Sequence, residues 1–339
     1  MKTICFGEIM MRLNPEGYRR FRQADRFEVS YAGGEANVAV SLANYGIQTY
    51  FFTKVPDNEL GECAIEAIQR YGVHTDLILK GGNRLGIYFV EKGASQRSSK
   101  VIYDRAESAI AKMKSSEFDW ENIFEDCNWF HFTGITPALS DNLAEICLDA
   151  CKIAKRKGVT ISCDLNYRNR LWSREKANIV MSKLMPYVDV CIANEEDAAD
   201  VFGICAAGTD VSSGRLNKEG YVFVAKELSE RFGCEKVAIT LRTSLSASDN
   251  RWAGMLYTNG EAYFSKEYLI HIVDRVGGGD SFCGGLIYSL QKGYSEQEVI
   301  EFAAAASCLK QTIEQDFNLV SVKEVETLMN GTGTGRVQR

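Results

Sequence analysis

Asp274-Arg275-Val276-Gly277-Gly278-Gly279-Asp280-Ser281-Phe282-Cys283-Gly284-Gly285 is the stretch that decides how this chain is read. A run of glycines leads into an aspartate, and an apolar segment with helical spacing, Phe282 to Leu290, follows. A glycine-rich turn that opens a helix presents unpaired backbone N–H groups at the positive end of the helix dipole. Such a turn receives a phosphate or a developing oxyanion. Asp280, on the first turn of that helix, sets a carboxylate beside the same spot. Anion donors next to a proton acceptor are the parts that phosphoryl transfer requires. The plainer reading is a glycine turn closed by an ordinary capping aspartate.

A second stretch, near the N-terminus, reads Tyr31-Ala32-Gly33-Gly34-Glu35-Ala36-Asn37-Val38-Ala39-Val40-Ser41-Leu42-Ala43. Here too glycines precede a helix, whose apolar face is Val38, Leu42 and Tyr45. Gly33 and Gly34 allow a ligand close to the backbone, and Asn37 offers both a donor and an acceptor. Together the two stretches resemble the signature motifs of the ribokinase-like (PfkB) carbohydrate kinases, in the order that family shows. The N-terminal one resembles its sugar-binding Gly-Gly motif with Asn37, the C-terminal one its Asp-x-x-Gly-x-Gly-Asp motif. The resemblance implies an α/β fold, a ribokinase-like αβα sandwich with a mostly parallel central sheet and a small β-sheet lid. It also implies ATP and Mg²⁺, and leaves room for a monovalent cation.

The hydrophobic pattern gives the same architecture independently. Thr3–Phe6, Thr49–Thr53, Trp129–Thr133, Thr160–Asp164, Asp189–Ala193 and Val237–Leu241 read as strands, several apolar on both faces. Glu35–Tyr45, Glu59–Tyr71, Asn142–Lys157, Arg174–Met185, Val222–Phe232, Ser281–Gln291 and Glu296–Gln311 read as helices. This alternation predicts a parallel sheet covered on both faces, with ligands at the carboxyl ends of its strands. Arg12–Tyr31 and the hairpin Leu85–Asp104 break the alternation, so a separate small sheet, the lid, is expected from about 12–32 and 84–106. The alternative is a pair of extra edge strands on the main sheet. The lid strands look short and polar, which predicts a lid that closes over the sugar. One domain is expected over 1–330, with a surface loop at 203–220 and a frayed tail at 331–339.

The chemistry distributes over these elements. Asp280 is the expected general base, and the amides of Gly277, Gly278 and Gly279 the expected anion hole; the resemblance assigns the same roles, although Arg275 replaces the family's usual small residue or proline. Gly33, Gly34 and Asn37 are sugar-binding by resemblance. Asn194-Glu195-Glu196-Asp197 resembles the family's Asn-x-x-Glu motif, which helps place Mg²⁺ and the nucleotide phosphates. Asp197 is one methylene shorter than the family's glutamate, and because Mg²⁺ keeps several waters, a water-mediated contact absorbs the difference. A solvated acidic helix start is the competing reading. Asn166 and Arg168 end another strand and face the same crevice. Thr240 lies on the strand leading to the nucleotide, with Arg242 where the family usually has glycine. Adenine is expected near Ala304, Ala305 and Cys308, although an alanine face also reads as tight helix packing.

Tyr88 and Tyr103 fall on opposite strands of the hairpin, and Arg105 lies just past its end. A neutral sugar needs only hydroxyl partners, whereas a sugar acid also needs a cation, best supplied by arginine. Arg105 and Arg168 supply it, and the pattern of Gly34, Tyr88, Tyr103 to Arg105 and Asp164 to Arg168 resembles the family members that phosphorylate 2-keto-3-deoxygluconate. The alternative is that both arginines make structural ion pairs. Asp316 is placed to reach the sugar by position alone. Two other functions compete: a neutral-sugar kinase such as a fructokinase, and a non-catalytic sugar or nucleotide sensor, which would have no need of Asp280.

Composition excludes several other classes. A net charge of −6 argues against a nucleic-acid binder, and the basic run Arg19-Arg20-Phe21-Arg22 reads as a lid edge or dimer contact. The cysteines, 11 in number and without any Cys-x-x-Cys pair, read as small buried residues in a reducing cytoplasm. No apolar run is long enough to span a bilayer. Gly-x-Gly-x-x-Gly after the first strand, the Walker sequence, Gly-x-Ser-x-Gly and His-Glu-x-x-His are all absent, which removes dehydrogenase, P-loop, hydrolase and zincin readings. The open edges of a small lid sheet point to a homodimer or higher homo-oligomer formed through it.

Overall fold

The computed structural model describes residues 2–194, 196–205 and 218–331. Most of the expected 203–220 loop and all but the first residue of the 331–339 tail lie outside the described residues. In chain order the strands are β1 (Lys2–Phe6), β2 (Met10–Asn14), β3 (Glu28–Ala32), β4 (Gln48–Phe52), β5 (Lys54–Val55), β6 (Leu79–Lys80), β7 (Gly86–Glu91), β8 (Lys100–Asp104), β9 (Cys127–Thr133), β10 (Thr160–Asp164), β11 (Val190–Ala193), β12 (Lys236–Ser244), β13 (Asp249–Thr258), β14 (Glu261–Phe264) and β15 (Tyr268–His271). The helices are α1 (Gly34–Asn44), α2 (Glu59–Gln69), α3 (Trp120–Ile123), α4 (Ile135–Ala138), α5 (Asp141–Arg156), α6 (Arg174–Leu184), α7 (Asp197–Phe202), α8 (Lys218–Phe232), α9 (Gly278–Gln291), α10 (Glu296–Lys310) and α11 (Val322–Asn330).

A nine-stranded sheet runs in the order β14-β13-β12-β11-β10-β9-β1-β4, with β15 also paired to β13. From β12 to β4 every pairing is parallel. Successive residues of these strands point to opposite faces, and both faces are apolar. Ile4, Phe6, Phe130, Phe132, Ile161 and Ile239 pack with Leu143, Ile146, Met181 and Val224 of α5, α6 and α8. Cys5, Phe51, Ile192 and Ala238 pack on the other side with Val38, Ile68, Phe282 and Phe302 of α1, α2, α9 and α10. The result is the expected αβα sandwich. The antiparallel β13, β14 and β15 extend it at one end and were not among the expected strands. The described residues contain no helix long and apolar enough to cross a membrane. All 11 cysteines are free, and most are buried.

The lid is a separate four-stranded sheet, β3-β2-β7-β8, rather than extra edge strands of the main one. Its registers sort its residues by face. Arg12 lies opposite Ser30 and Tyr88, and Tyr88 opposite Tyr103, so Ser30, Arg12, Tyr88 and Tyr103 form one row. The next row, Val29, Leu13, Phe89 and Ile102, is apolar and faces away. The basic run at its edge is a lid element: the Phe21 N–H donates to Glu91 at 2.9 Å, and Arg20 pairs with the same carboxylate at 3.2 Å.

The lid is held more firmly than its strands suggest. Arg12 is completely buried, and its guanidinium reaches Asp316 at 2.5 Å and Asp274 at 2.6 Å, both in the core. At the hairpin tip the Ser95 N–H donates to Ser248 Oγ at 2.9 Å, and the Ala247 N–H donates to the Ser95 carbonyl at 2.7 Å. The two central strands and the tip are therefore tied to the core, and the outer strands β3 and β8 are the looser part.

Candidate active site

The two glycine motifs meet because α1 packs directly on α9. A Cβ on Gly284 would lie 2.6 Å from Ser41 Cβ, so glycine is what lets the two helices approach. That packing sets Asn37, on the first turn of α1, against Asp280, on the first turn of α9. The Asn37 side-chain amide donates to Asp280 Oδ2 at 2.6 Å. Gly33 is equally constrained: a Cβ there would lie 1.8 Å from the Glu8 carbonyl oxygen. Burial pushes the Asp280 pKa up to about 7; the Asn37 hydrogen bond opposes the rise, and Asp316 and Glu35 add to it. A carboxyl near that value is poised as a general base.

Gly277, at φ 81°, caps α9 in the left-handed region, and a Cβ there would lie 2.1 Å from the Asp316 carbonyl oxygen. Of the three amides expected to form the anion hole, that of Gly278 donates to the Arg275 carbonyl at 3.2 Å within the turn. Among the described residues the amides of Gly277 and Gly279 make no such bond; both glycines line the cleft, and a Cβ on Gly279 would meet nothing within 4 Å. The C-terminal end of α10 supports this loop from behind. Ser307 Oγ donates to the Gly278 carbonyl at 2.7 Å, and the Gln311 carbonyl accepts from the Val273 N–H at 2.9 Å.

These groups open into a cleft of about 490 Å³ between lid and sheet. Asn166, Arg168, Asn194, Asp197, Thr240 and Arg242 all line it, from the carboxyl ends of β10, β11 and β12, as the parallel sheet requires. Asn166 is held at φ 38°, an uncommon conformation for a non-glycine residue, and donates to Asp164 Oδ2 at 3.1 Å. Asp197 is buried and staples two loops: its carboxylate accepts from the Tyr167 N–H and the Asn194 N–H, each at 3.0 Å. Burial raises the Asp197 pKa. Asp164 is raised further, first by burial and then by the negative charges of Asp197 and Asp280.

Among the described residues no group of three acidic, His or Cys side chains could hold a metal. The donors fit Mg²⁺ carried largely by phosphates and water, with Asp164 and Asn166 the accessible partners and Asp197 behind them.

The residues expected near adenine lie on α10. Ala304 and Ala305 are completely buried in the helical layer, and Cys308 packs with Trp252, Ile270 and Ile272. None of the three lines the cleft. Trp252 and Arg275, which sequence reasoning did not place in the site, line the cleft beside Thr240 and Arg242.

On the sugar side Tyr88 and Tyr103 stack with ring centroids 6.0 Å apart, and the Tyr88 hydroxyl donates to Asp316 at 2.8 Å. Arg105 lines the cleft, but its Nε donates to Glu8 at 2.8 Å, and Ser108 Oγ donates to the same carboxylate at 2.6 Å. The structural ion pair is therefore realised for Arg105. Arg168 differs: it is exposed, donates only to the Tyr167 carbonyl at 3.1 Å, and forms no ion pair among the described residues. A second cavity, of about 610 Å³, adjoins the cleft and shares Tyr103, Arg105 and Arg168 with it. Glu8 and Arg12 went unrecognised as site residues because a buried charge is identified by its partners, which lie far away in the chain.

The model of the pfkB family carbohydrate kinases matches residues 2–315. The chain belongs to that family. Among solved structures, 2-dehydro-3-deoxygluconokinase from Thermotoga maritima is 53% identical, covers 98% of both chains and superposes with a TM-score of 0.94. A PfkB family carbohydrate kinase from Listeria grayi is 34% identical over 97% of this chain and 100% of its own, with a TM-score of 0.90. The 2-dehydro-3-deoxygalactonokinase of Haloferax volcanii is 31% identical over 98% of each chain. As a family member this protein is a carbohydrate kinase.

Proposed function

We infer that the protein transfers the γ-phosphoryl group of ATP to a hydroxyl of a 2-keto-3-deoxy sugar acid, 2-keto-3-deoxygluconate in the first place, giving the 6-phosphate. The observation that carries the acid is Arg168, a guanidinium without an ion-pair partner among the described residues, at the mouth of a cleft whose floor is the Asn37–Asp280 pair. The names of the similar proteins support the same substrate class, and they divide between the gluco and galacto epimers.

In the reaction the acceptor hydroxyl rests against Asp280, oriented by the Asn37 amide. Its oxygen forms the new bond to phosphorus as the bond to ADP breaks, and its proton passes to the Asp280 carboxylate. The Gly277 and Gly279 amides receive the charge on the transferring group. Asp164 and Asn166, with Asp197 behind them, would hold Mg²⁺ through its waters, and the ion would supply charge neutralisation for the nucleotide phosphates. Tyr103, on the outer strand β8, closes over the sugar beside the anchored Tyr88, and together they exclude water, which would otherwise accept the phosphoryl group.

The test is a panel of 2-keto-3-deoxygluconate, 2-keto-3-deoxygalactonate, fructose and ribose with ATP and Mg²⁺. An acid is expected to give the highest kcat/KM. A charge-assisted hydrogen bond contributes about 1.5–3 kcal/mol, so Arg168→Ala should raise the KM for the acid roughly 10- to 100-fold and leave neutral-sugar turnover nearly unchanged. Better turnover of fructose by the wild type would replace this reading with a neutral-sugar kinase.

A further inference from the structure

Lys310, the last residue of α10, is a charged side chain with no exposed surface and no role in the chemistry described so far. Its ammonium has no carboxylate within ion-pair distance among the described residues. It donates instead to three backbone carbonyls: Gln315 at 2.6 Å, Asp274 at 3.3 Å, and Val276 in a short contact. These carbonyls flank the glycine loop: Asp274 and Val276 precede Gly277, and Gln315 precedes Asp316, whose own carbonyl lies against Gly277.

We propose that Lys310 is a tethered cation that sets the anion hole, doing from within the chain what a bound monovalent ion would do. The argument is geometric. In a trans peptide the C=O and N–H point in opposite directions. A Val276 carbonyl turned onto the buried ammonium therefore turns the Gly277 N–H the other way, on the side where Gly277 lines the cleft. The Asp274 carbonyl is drawn to the same point, while the Asp274 carboxylate accepts from the Val276 N–H at 3.1 Å, so the two peptides that lead into the Val276–Gly277 peptide are held as well. A cluster of inward-facing carbonyls is unfavourable without a cation at its centre. An ammonium and a potassium ion are close in size and charge, and here the ammonium holds that place. Burial lowers the Lys310 pKa, and the nearby Asp274 and Asp316 charges oppose that shift and favour the charged form. Lys310 is a positioning residue: it acts on phosphate only through the orientation of the loop.

The proposal deepens the kinase reading, so its test includes a readout that needs no sugar. Turnover with Mg²⁺-ATP, and the Kd of the non-hydrolysable β,γ-imido analogue of ATP with Mg²⁺, are measured in buffers whose monovalent cation is tetramethylammonium, sodium or potassium. Wild-type values are expected to be the same in all three, because tetramethylammonium is too large to enter the carbonyl cluster and none is needed. Lys310→Ala should lose about 10²-fold in kcat in tetramethylammonium, with the sugar KM little changed. Potassium or ammonium should restore both kcat and analogue affinity along a saturable curve. Lys310→Met, which fills the space without charge, should show the loss and no rescue. A wild type that needs potassium overturns the proposal, and that arm holds even if Lys310→Ala fails to fold. A folded Lys310→Ala with wild-type kcat and analogue affinity also overturns it, as does a loss that no cation restores. An absence of sugar phosphorylation would instead count against the substrate reading, because analogue binding reports on the loop alone.

Discussion

The carboxyl of Asp280 carries two consequences with opposite signs. Its folded pKa of about 7 lies well above that of a free aspartate, so the folded protein holds a proton that the unfolded chain releases at lower pH. Stability from this group is full below the unfolded pKa and is lost as pH rises through about 7. Catalysis needs the ionised form, so kcat/KM should rise through the same window, and a profile flat across it would contradict Asp280 as the base. Asp280→Asn should lower kcat by about 10²–10⁴-fold. The same variant should melt a few degrees higher than wild type at pH 8 and no higher at pH 4; a lower melting temperature at pH 8 would mean that the native carboxylate is not strained. Arg105 behaves differently. Removing it leaves Glu8 buried without its ion-pair partner, so Arg105→Ala should cost about 3–5 kcal/mol in stability, measurable by urea unfolding. Arg105→Ala with Glu8→Gln should recover much of that loss. Asp280, Asn37 and the glycines were legible because a turn entering a helix has a local signature. Glu8, Arg12 and Lys310 were not, since a charge reveals that it is buried only through partners remote in sequence.

Whole elements followed from period more readily than their attachments did. Strands β1, β4, β9, β10 and β11 and the helices beside them were visible as alternating apolar runs, because each is buried on one or both faces. Helix α11 was missed although Ser321 and Glu324 form a capping box before it, a signal that could have found it. The antiparallel β13 to β15 were missed because β13 is almost continuously buried and carries Gly254 in its middle, which blurs its alternation. The lid shows the largest gap between pattern and structure. Short polar strands suggested a sheet free to swing, yet Arg12 and Tyr88 fix its centre to Asp274 and Asp316, and Ser95 ties its tip to Ser248. Closure is therefore expected to be confined to the outer strand β8, which is exposed over most of its length. Hydrogen exchange of residues 100–104 should slow on adding the sugar acid, while β2 is already protected in the empty protein. Fast exchange in β2 that slows together with β8 would show that the whole lid swings, and the Arg12 anchor would have to be rejected.

At the scale of the molecule, the outer face of the lid needs a cover. Val29 and Ile102 remain 53% and 50% exposed, and they end the apolar row that runs through Leu13 and Phe89. Phe27 is 38% exposed and packs edge-on against Phe89 at 5.9 Å. A four-stranded sheet with one face on the cleft and an apolar opposite face resembles half of a β-sandwich. The other half is best supplied by a second copy of this chain, since a two-fold axis through the row sets the same apolar patch against itself. A stable dimer needs about 800 Å² from each partner, which the row, the Phe21–Phe27–Phe89 cluster and the adjoining edges of β3 and β8 are placed to provide. Sedimentation velocity at micromolar concentration should give a dimer, and Val29→Glu combined with Ile102→Lys should give a folded monomer. Because the same four strands carry Tyr88 and Tyr103 on their other face, loss of the partner should loosen the sugar site before it touches the chemistry. The sugar KM is then expected to rise more than kcat falls. A wild type that sediments as a monomer, or a double variant that remains dimeric, would place the subunit contact elsewhere and leave the apolar row without a partner.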